Sequence, residues 1–375
     1  MLKVGILKEI KNFESRVGIC PEGVRLLVDS GVEVFVESGA GEGSRFPDDL
    51  YSQAGATVVP SAEKLMRNAE LLVKVLPLTP VEAELLSDSH LVFSLLKLNP
   101  SGDRLKSLME MQTVYFAADF LEDEQGRHPV LEAISEVSGR MAVHIAANLL
   151  SVSHQGKGIL LSGAELIAPA NVTIVGAGMI GRVAAIQAWT NGANVNVLSL
   201  KPENMTQYNI VRDGLSLKEY SDKNLSDLLP STDILIVSVY FLKASDINVK
   251  ITKEMISMLK PGSVVIDLSI EQNPVIETSH VTNIAQPTFI AEDIIHYCVP
   301  NITATVPVTT SKIYSKKIIP FIEILAKNGL KNALNLSPEL LSAMAVYKGK
   351  ITNRHLADRF NHTFYNIFDL LELNI

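Results

Sequence analysis

The chain has 375 residues, enough for two domains of ordinary size, and is 47% hydrophobic and 20% charged, the balance of a globular protein. Its net charge of −8 and lack of a dense basic tract argue against nucleic-acid binding, and no run approaches the roughly 20 apolar residues of a membrane helix. Two cysteines, Cys20 and Cys298, allow neither a disulfide framework nor a zinc cluster, so a reducing cytoplasm and no metal are expected.

From the start of the chain, short β-rich runs alternate with helical ones. "KVGILKE", "VEVFVES", "ATVV", "ELLVKVL", "HLVFSLLKL" and "TVYFA" read as strands. "PEGVRLLVDSG", "PDDLYSQAG", "AEKLMRNA" and "SGDRLKSLMEMQ" read as the helices between them. This rhythm predicts a mostly parallel sheet with helices on both faces. It breaks at "LEAISEVSGRMAVHIAANLLSVSH", whose apolar spacing predicts about five helical turns. "QGKGILLSGAELIAPA" reads as a loop or hairpin. A second βαβ series follows, with strands in "NVTIVGAG", "NVNVLSL", "DILIVSV", "SVVIDLS" and "TFIAED". The end of the chain, "SKKIIPFIEILAKNG" and "SPELLSAMAVYKGK", reads as helical with no strands of its own to cover. It is therefore expected to return to the first domain. The predicted fold class is α/β, with doubly wound parallel sheets in two Rossmann-like domains, one inserted in the other. A substrate domain is expected at 1–133 plus 305–375, and a dinucleotide-binding domain at 134–304.

The inserted domain opens with "VTIVGAGMIG", which places Gly176, Gly178 and Gly181 in GxGxxG spacing after a β-branched strand. The first glycine permits a tight turn, the second lets backbone approach a pyrophosphate, and the third lets the helix pack on the sheet. The helix N-terminus favours the anion. An NAD site usually ends its second strand with an acidic residue that binds the ribose hydroxyls and repels a 2′-phosphate. Here that strand ends at Ser199, with Lys201 two positions on. The expected cofactor is NAD(P)(H), leaning toward NADP(H).

Over nearly its whole length the chain resembles the alanine dehydrogenase and pyridine-nucleotide-transhydrogenase family. The resemblance begins with "VGILKEIKNFESRVGICPEGVRLLVDSGVEVFVESGAGEGSRFPDD" and continues through "SEVSGRMA", "GKGILLSG", "LKPGSVVIDLSIEQ", "HYCVPN" and "VYKGKIT". It implies reversible NAD(P)-linked oxidative deamination of an L-amino acid to a 2-oxo acid and ammonia. It also implies a homo-oligomer, hexamer or dimer, with the active site in the cleft between two Rossmann-like domains. Arg16 of "ESRVG" and Lys74 of "LVKVLP" match the residues that hold the oxo acid in the family. A guanidinium fork and a point charge suit a carboxylate and carbonyl. Asn301 of "VPNITATVP" is carried over as a substrate residue. Ser135, Met179, Ile180, Val239, Tyr240, Ser269 and Ile270 join the three glycines as expected cofactor contacts.

Two expected catalytic positions depart from the pattern. Lys97 of "SLLKLNP" stands where the family has histidine, and Glu271 of "SIEQNP" where it has aspartate. The glycine pair that follows has become Asn273–Pro274, and Val308 replaces a basic residue. A lysine ordinarily titrates near 10.4, so Lys97 serves as acid/base only if its surroundings lower that value. An acid/base, a second carboxylate binder, and a bystander are the three roles open to it. His144 reads as a core or hinge histidine, His296 as a residue close to the cofactor, Cys298 as packing, and His280 and His355 as surface. The competing functions are an opine- or saccharopine-type dehydrogenase and a non-catalytic nucleotide-binding protein.

Overall fold

The computed structural model describes residues 1–98, 101–200, 213–240, 249–271 and 274–371. In chain order the elements begin β1 (Val4–Ile6), α1 (Pro21–Asp29), β2 (Val34–Glu37), α2 (Asp48–Gln53), β3 (Thr57–Val59), α3 (Ala62–Met66) and β4 (Leu71–Val73). They continue with α4 (Pro80–Ala83), β5 (Leu91–Ser94), α5 (Asp103–Glu110), β6 (Val114–Ala117) and the long α6 (Pro129–Leu149). Next come β7 (Asn171–Val175), α7 (Met179–Thr190), β8 (Asn194–Ser199), β9 (Leu215–Glu219) and α8 (Asp222–Leu228). They are followed by β10 (Ile234–Val237), α9 (Lys253–Ile256), β11 (Val264–Asp267), β12 (Thr288–Ala291) and β13 (Ile294–Tyr297). The chain ends with α10 (Pro307–Leu336), α11 (Pro338–Ala343), β14 (Met344–Tyr347), β15 (Lys350–Ile351), α12 (Arg354–Phe360) and α13 (Ile367–Leu371).

These elements fall into two compact units, Met1–Ile134 with Val306–Ile375, and Ser135–Thr305. The first holds a sheet of order β15-β14-β6-β5-β4-β1-β2-β3, the second a sheet of order β12-β13-β11-β10-β7-β8-β9. Both are mostly parallel, which buries both faces of each sheet. Alternate residues of one strand therefore belong to different cores: Leu71 and Val73 pack on one side of the first sheet, Leu72 on the other. In the second sheet Ile174 and Val175 divide in the same way. Among the described residues no helix is long and apolar enough to cross a membrane.

Two readings of the sequence need correction. "SPELLSAMAVYKGK" is helical only to Ala343; Met344–Tyr347 then pairs antiparallel with β6, and β15 completes a hairpin. The outer edge of β6 needs hydrogen-bond partners, and the buried run Met344–Val346 supplies them. Helical spacing at Leu340 and Leu341 hid the switch of period. "TFIAED" is an antiparallel strand that turns straight back into β13. Glu292 (φ 52°) and Asp293 (φ 59°) both take left-handed backbone, as a type I′ hairpin requires, without the Asn-Gly that usually announces one. The segment 155–170 forms no strand beyond an isolated bridge of Ala164 to Ile167.

Candidate functional site

In each sheet the chain leaves a central strand in one direction and later returns to its other side. Loops diverge above that point, and such a crevice is where open α/β sheets take their ligands. In the first unit it falls between β1 and β4, in the second between β7 and β10.

Arg16 follows β1 and Lys74 follows β4, so both expected substrate residues belong to the first crevice. Both are 1% exposed. The Arg16 guanidinium donates from Nε and Nη2 to the two oxygens of Glu14, at 2.7 and 2.6 Å, in a two-pronged pair. Burial pushes the Glu14 carboxyl up, but the Arg16 hydrogen bonds and charge, with Lys97 adding to them, hold it below its ordinary value. The Lys74 ammonium is paired with Glu82 and lies 3.6 Å from Glu9. Glu82 is the fourth residue of a capping box with Thr79 that starts α4. Glu9 accepts from the N–H groups of Val75 and Leu76, and burial raises its carboxyl above the ordinary value. The returning helix α10 fastens these loops: Ser311 accepts from Val17 N–H, Ser315 from Cys20 N–H, and Tyr314 donates to the Lys74 carbonyl.

Lys97 follows β5, half-buried, with φ 45° in a region a lysine seldom adopts. Asp119 holds this turn by accepting from the N–H groups of Leu96 (2.8 Å) and Lys97 (3.1 Å). Burial pushes the Asp119 carboxyl up, and those N–H groups and the Lys97 charge draw it back. The Lys97 charge thus acts on the same carboxylate, Glu14, that Arg16 holds. Of the two carboxylates the sequence places near Arg16, Glu9 and Glu14, it is Glu14 that pairs with it, and the pair is buried rather than at the surface. Glu82 was overlooked, although "T-P-V-E" is a legible capping box. Nothing in the sequence marked Asp119.

In the second crevice the fingerprint glycines divide the work as their spacing implies. Gly176 has φ 106°, and a Cβ on it would lie 2.5 Å from the Ser238 carbonyl oxygen. A Cβ on Gly181 would lie 1.9 Å from the Gly176 carbonyl oxygen, so the close approach of α7 to β7 excludes any side chain. At Gly178 a Cβ would meet nothing within 4 Å. Bare backbone there faces open space at the N-terminus of a 12-residue helix, which fits the pyrophosphate of a dinucleotide. Met179 and Ile180 form the first turn of α7, partly exposed. Arg182, overlooked in the sequence, puts a cation in that turn, its Nη2 donating to Met179 Sδ at 3.3 Å.

Beyond β10, Val239 is buried and Tyr240 is 52% exposed; beyond β11, Ser269 and Ile270 are buried and Glu271 is exposed. Ser269 ties the two strand ends together by accepting from Val239 N–H at 2.9 Å. Ser135 is buried on α6, one turn before Gly139, where a Cβ would meet the Ile180 carbonyl oxygen at 2.6 Å. Asn301 opens the turn 302–305, its carbonyl accepting from Ala304 N–H.

Other expectations change. Ser199, the last residue of β8 and in register with Glu219, is fully buried rather than exposed. Lys201 and Asn273 lie outside the described residues. His144 is exposed, one wall of a cavity of about 360 Å³ shared with Met141, Ile145 and Tyr297, and is no core histidine. His296 is fully buried against Thr278 and the Ile294 carbonyl, stacked at 5.0 Å on Phe289, and so faces no cofactor. Burial pushes the Cys298 thiol up to about 12, leaving it no nucleophile near neutral pH.

A dinucleotide cradle on one doubly wound sheet, and buried cations with carboxylate partners on another, define a dinucleotide-dependent α/β oxidoreductase of the amino-acid dehydrogenase class. Residues 5–138 match the model of the alanine dehydrogenase/PNT N-terminal domain, and residues 142–354 that of its C-terminal domain. The alanine dehydrogenase of Staphylococcus epidermidis is 32% identical over 373 residues, covering 99% of this chain and all of the relative. That of Halomonas elongata is 33% identical over 371 residues, with the same coverage. A solved L-alanine dehydrogenase superposes with a TM-score of 0.86 at 30% identity, over 96% of this chain and 99% of its own. The chain belongs to the alanine dehydrogenase/PNT family, whose dehydrogenases use a nicotinamide dinucleotide.

Proposed function

We propose that the protein interconverts an L-amino acid and its 2-oxo acid by reversible oxidative deamination, releasing ammonia. The observation that carries this reading is the grouping of Arg16, Glu14 and Lys97 above the first sheet, in a chain whose second sheet carries a dinucleotide cradle. Amino acid, oxidised dinucleotide and water give oxo acid, ammonium, reduced dinucleotide and a proton. A dinucleotide held over Gly176, Gly178 and Gly181 would supply the hydride acceptor; the remaining work falls to this chain's side chains.

Arg16 holds the substrate carboxylate, for which its fork must loosen from Glu14. Lys74 lends its charge to the substrate, for which it must turn from Glu82, while Glu9, whose carboxyl burial has raised, lies beside it. Lys97 moves the proton during hydrolysis of the substrate imine. Its charge acts on the carboxylates of Glu14 and Asp119, which lie beside it. Glu271 is the second catalytic residue beside Lys97, and Asn301 a further substrate contact. Gly176, Gly178, Gly181, Met179, Ile180, Ser135, Val239, Tyr240, Ser269 and Ile270 hold the dinucleotide.

NADP(H) remains the favoured form, supported by the lack of a carboxylate at Ser199 and by the Arg182 cation. Because Ser199 is buried, a carboxylate there would carry a desolvation cost of its own, which makes Arg182→Ala the cleaner probe. It should weaken NADPH more than NADH by about tenfold or less, and the difference should shrink as salt rises.

The reaction is tested by oxidation of NADH and NADPH with a panel of oxo acids, each with ammonia or with a free amino acid as amine donor. Turnover with ammonia is expected. Turnover only with an amino acid would replace the reading with an opine-type dehydrogenase, and silence despite cofactor binding would leave a nucleotide-binding protein.

A further inference from the structure

Asp267 ends β11, the strand between β10 and β13, and is 0% exposed. Its Oδ1 accepts from Ser269 N–H at 2.9 Å, and the Ile270 N–H also bonds to the carboxylate. Ser269 in turn accepts from Val239 N–H at the end of β10. One side chain therefore anchors the turn that leads to Glu271 and, through Ser269, the neighbouring strand end. Its second oxygen is different. Among the described residues, Asp267 Oδ2 is the one buried side-chain oxygen or nitrogen without a hydrogen-bond partner.

We propose that Asp267 is a positioning residue of the dinucleotide unit, whose ionisation tightens the turn at Ser269 and Ile270 and so makes cofactor binding pH-dependent. The cofactor part rests on the functional reading above; the burial of an incompletely satisfied carboxylate does not. An ionised carboxylate accepts more strongly from backbone N–H groups than a neutral acid, which favours the ordered turn. The same ionisation leaves a charged oxygen buried without a hydrogen-bond partner, which opposes it. Burial raises the carboxyl to about 6, with Ser279 and the two N–H groups drawing it back, so both forms are populated in the physiological range.

Among the described residues, the groups facing the carboxylate carry no charge that would move it further. Just after β13 comes the Cys298 thiol, neutral because burial has pushed it up to about 12, and from the segment before β12 the Ser279 hydroxyl. β10 presents Val237 in register and then Ser238. His280 and His296, the next titratable groups, are both stacked on Phe289. Glu271, further along its own turn, is exposed.

The test compares the wild type with Asp267→Asn across pH 5 to 8.5, by thermal unfolding without ligand and by titration with NADH and NADPH. The asparagine keeps an acceptor for Ser269 N–H and removes the charge. Its melting temperature should exceed that of the wild type by a margin that grows as pH rises through about 6. Wild-type dinucleotide affinity should tighten about three- to tenfold over the same range; in the variant the inflection should vanish. Should the asparagine variant fail to fold, Ser279→Ala serves instead, and its inflection should move up by about half a pH unit. A constant melting difference, or an inflection unchanged in either variant, overturns the proposal. A pH-dependent melting difference with no dinucleotide binding at all would overturn the cofactor part and, separately, the functional reading.

Discussion

The crevices above the two sheets solve opposite problems with the same topology. Above β1 and β4 the first unit buries Arg16, Lys74, Glu9, Glu14 and Glu82, and Arg16 and Lys74 each pair with a carboxylate. Above β7 and β10 the second unit presents bare backbone at Gly178 and the start of a helix. A dinucleotide brings its own charge, so the protein needs only oriented N–H groups and space. A small oxo acid must be oriented by side chains, which have to be kept charged and in place while buried. The cost of that burial is met by pairing in the first unit and is left incompletely met at Asp267 in the second.

The largest effect that would break this contrast is at Arg16. Arg16→Ala should abolish oxo-acid turnover and, by stranding Glu14 as an unpaired buried charge, destabilise the fold by about 3–5 kcal/mol. Arg16→Lys keeps the charge, loses the fork, and should fold while remaining nearly inactive. Dinucleotide binding should survive in both, and its equal loss would mean that the two crevices do not divide the work as described.

Within the fingerprint the contrast can be sharpened. Gly181→Ala forces a Cβ to within 1.9 Å of a carbonyl oxygen and should unfold or strongly destabilise the second unit. Gly178→Ala meets no protein atom and should fold normally while losing dinucleotide affinity. Circular dichroism melts beside cofactor titrations separate the two outcomes, and a stable Gly181→Ala would show the close approach to be wrong.

Lys97 comes next. Lys97→Met should cost roughly 10² in kcat if it moves a proton. Damage confined to KM would make it a carboxylate binder, and wild-type kinetics a bystander.

The smallest effect is in stability against pH, and its sign differs between the units. The Glu14 carboxyl is lowered in the folded protein, so it contributes stability that is present above the ordinary value near 4.5 and lost as pH falls through the folded value. The Asp267 carboxyl is raised from 3.8 to about 6, so it withdraws stability as pH rises between those values, by at most about 3 kcal/mol. Chemical denaturation of Glu14→Gln and the wild type from pH 3.5 to 8 should show their gap closing on the acid side. A gap independent of pH would mean that Glu14 is not held ionised by Arg16.

Much of this was legible before folding because it is local. The β-branched run before Gly176 and the spacing of Gly176, Gly178 and Gly181 dictate strand, turn and helix within 20 residues, whatever surrounds them. Pro21 at the start of α1 and the Thr79–Glu82 box announce their helices equally locally. β14 escaped notice because its identity depends on an unpaired edge of β6, more than 200 residues away in sequence. Asp119 escaped because its work, fastening the turn of Lys97, is done through backbone N–H groups that no residue pattern records.

From the order of its residues alone, the chain determined its α/β class, its dinucleotide fingerprint and the types of side chain available to hold a carboxylate. Periodicity and turn chemistry act over one or two elements, and those properties need nothing more. Which charges pair was decided by tertiary structure. Glu14 rather than Glu9 takes Arg16, Lys74 turns to Glu82, and Ser199 is sealed beneath its neighbours. A buried ion is tolerated only where partners from several segments converge on it, and that convergence exists only once the sheet and the returning helix α10 have assembled.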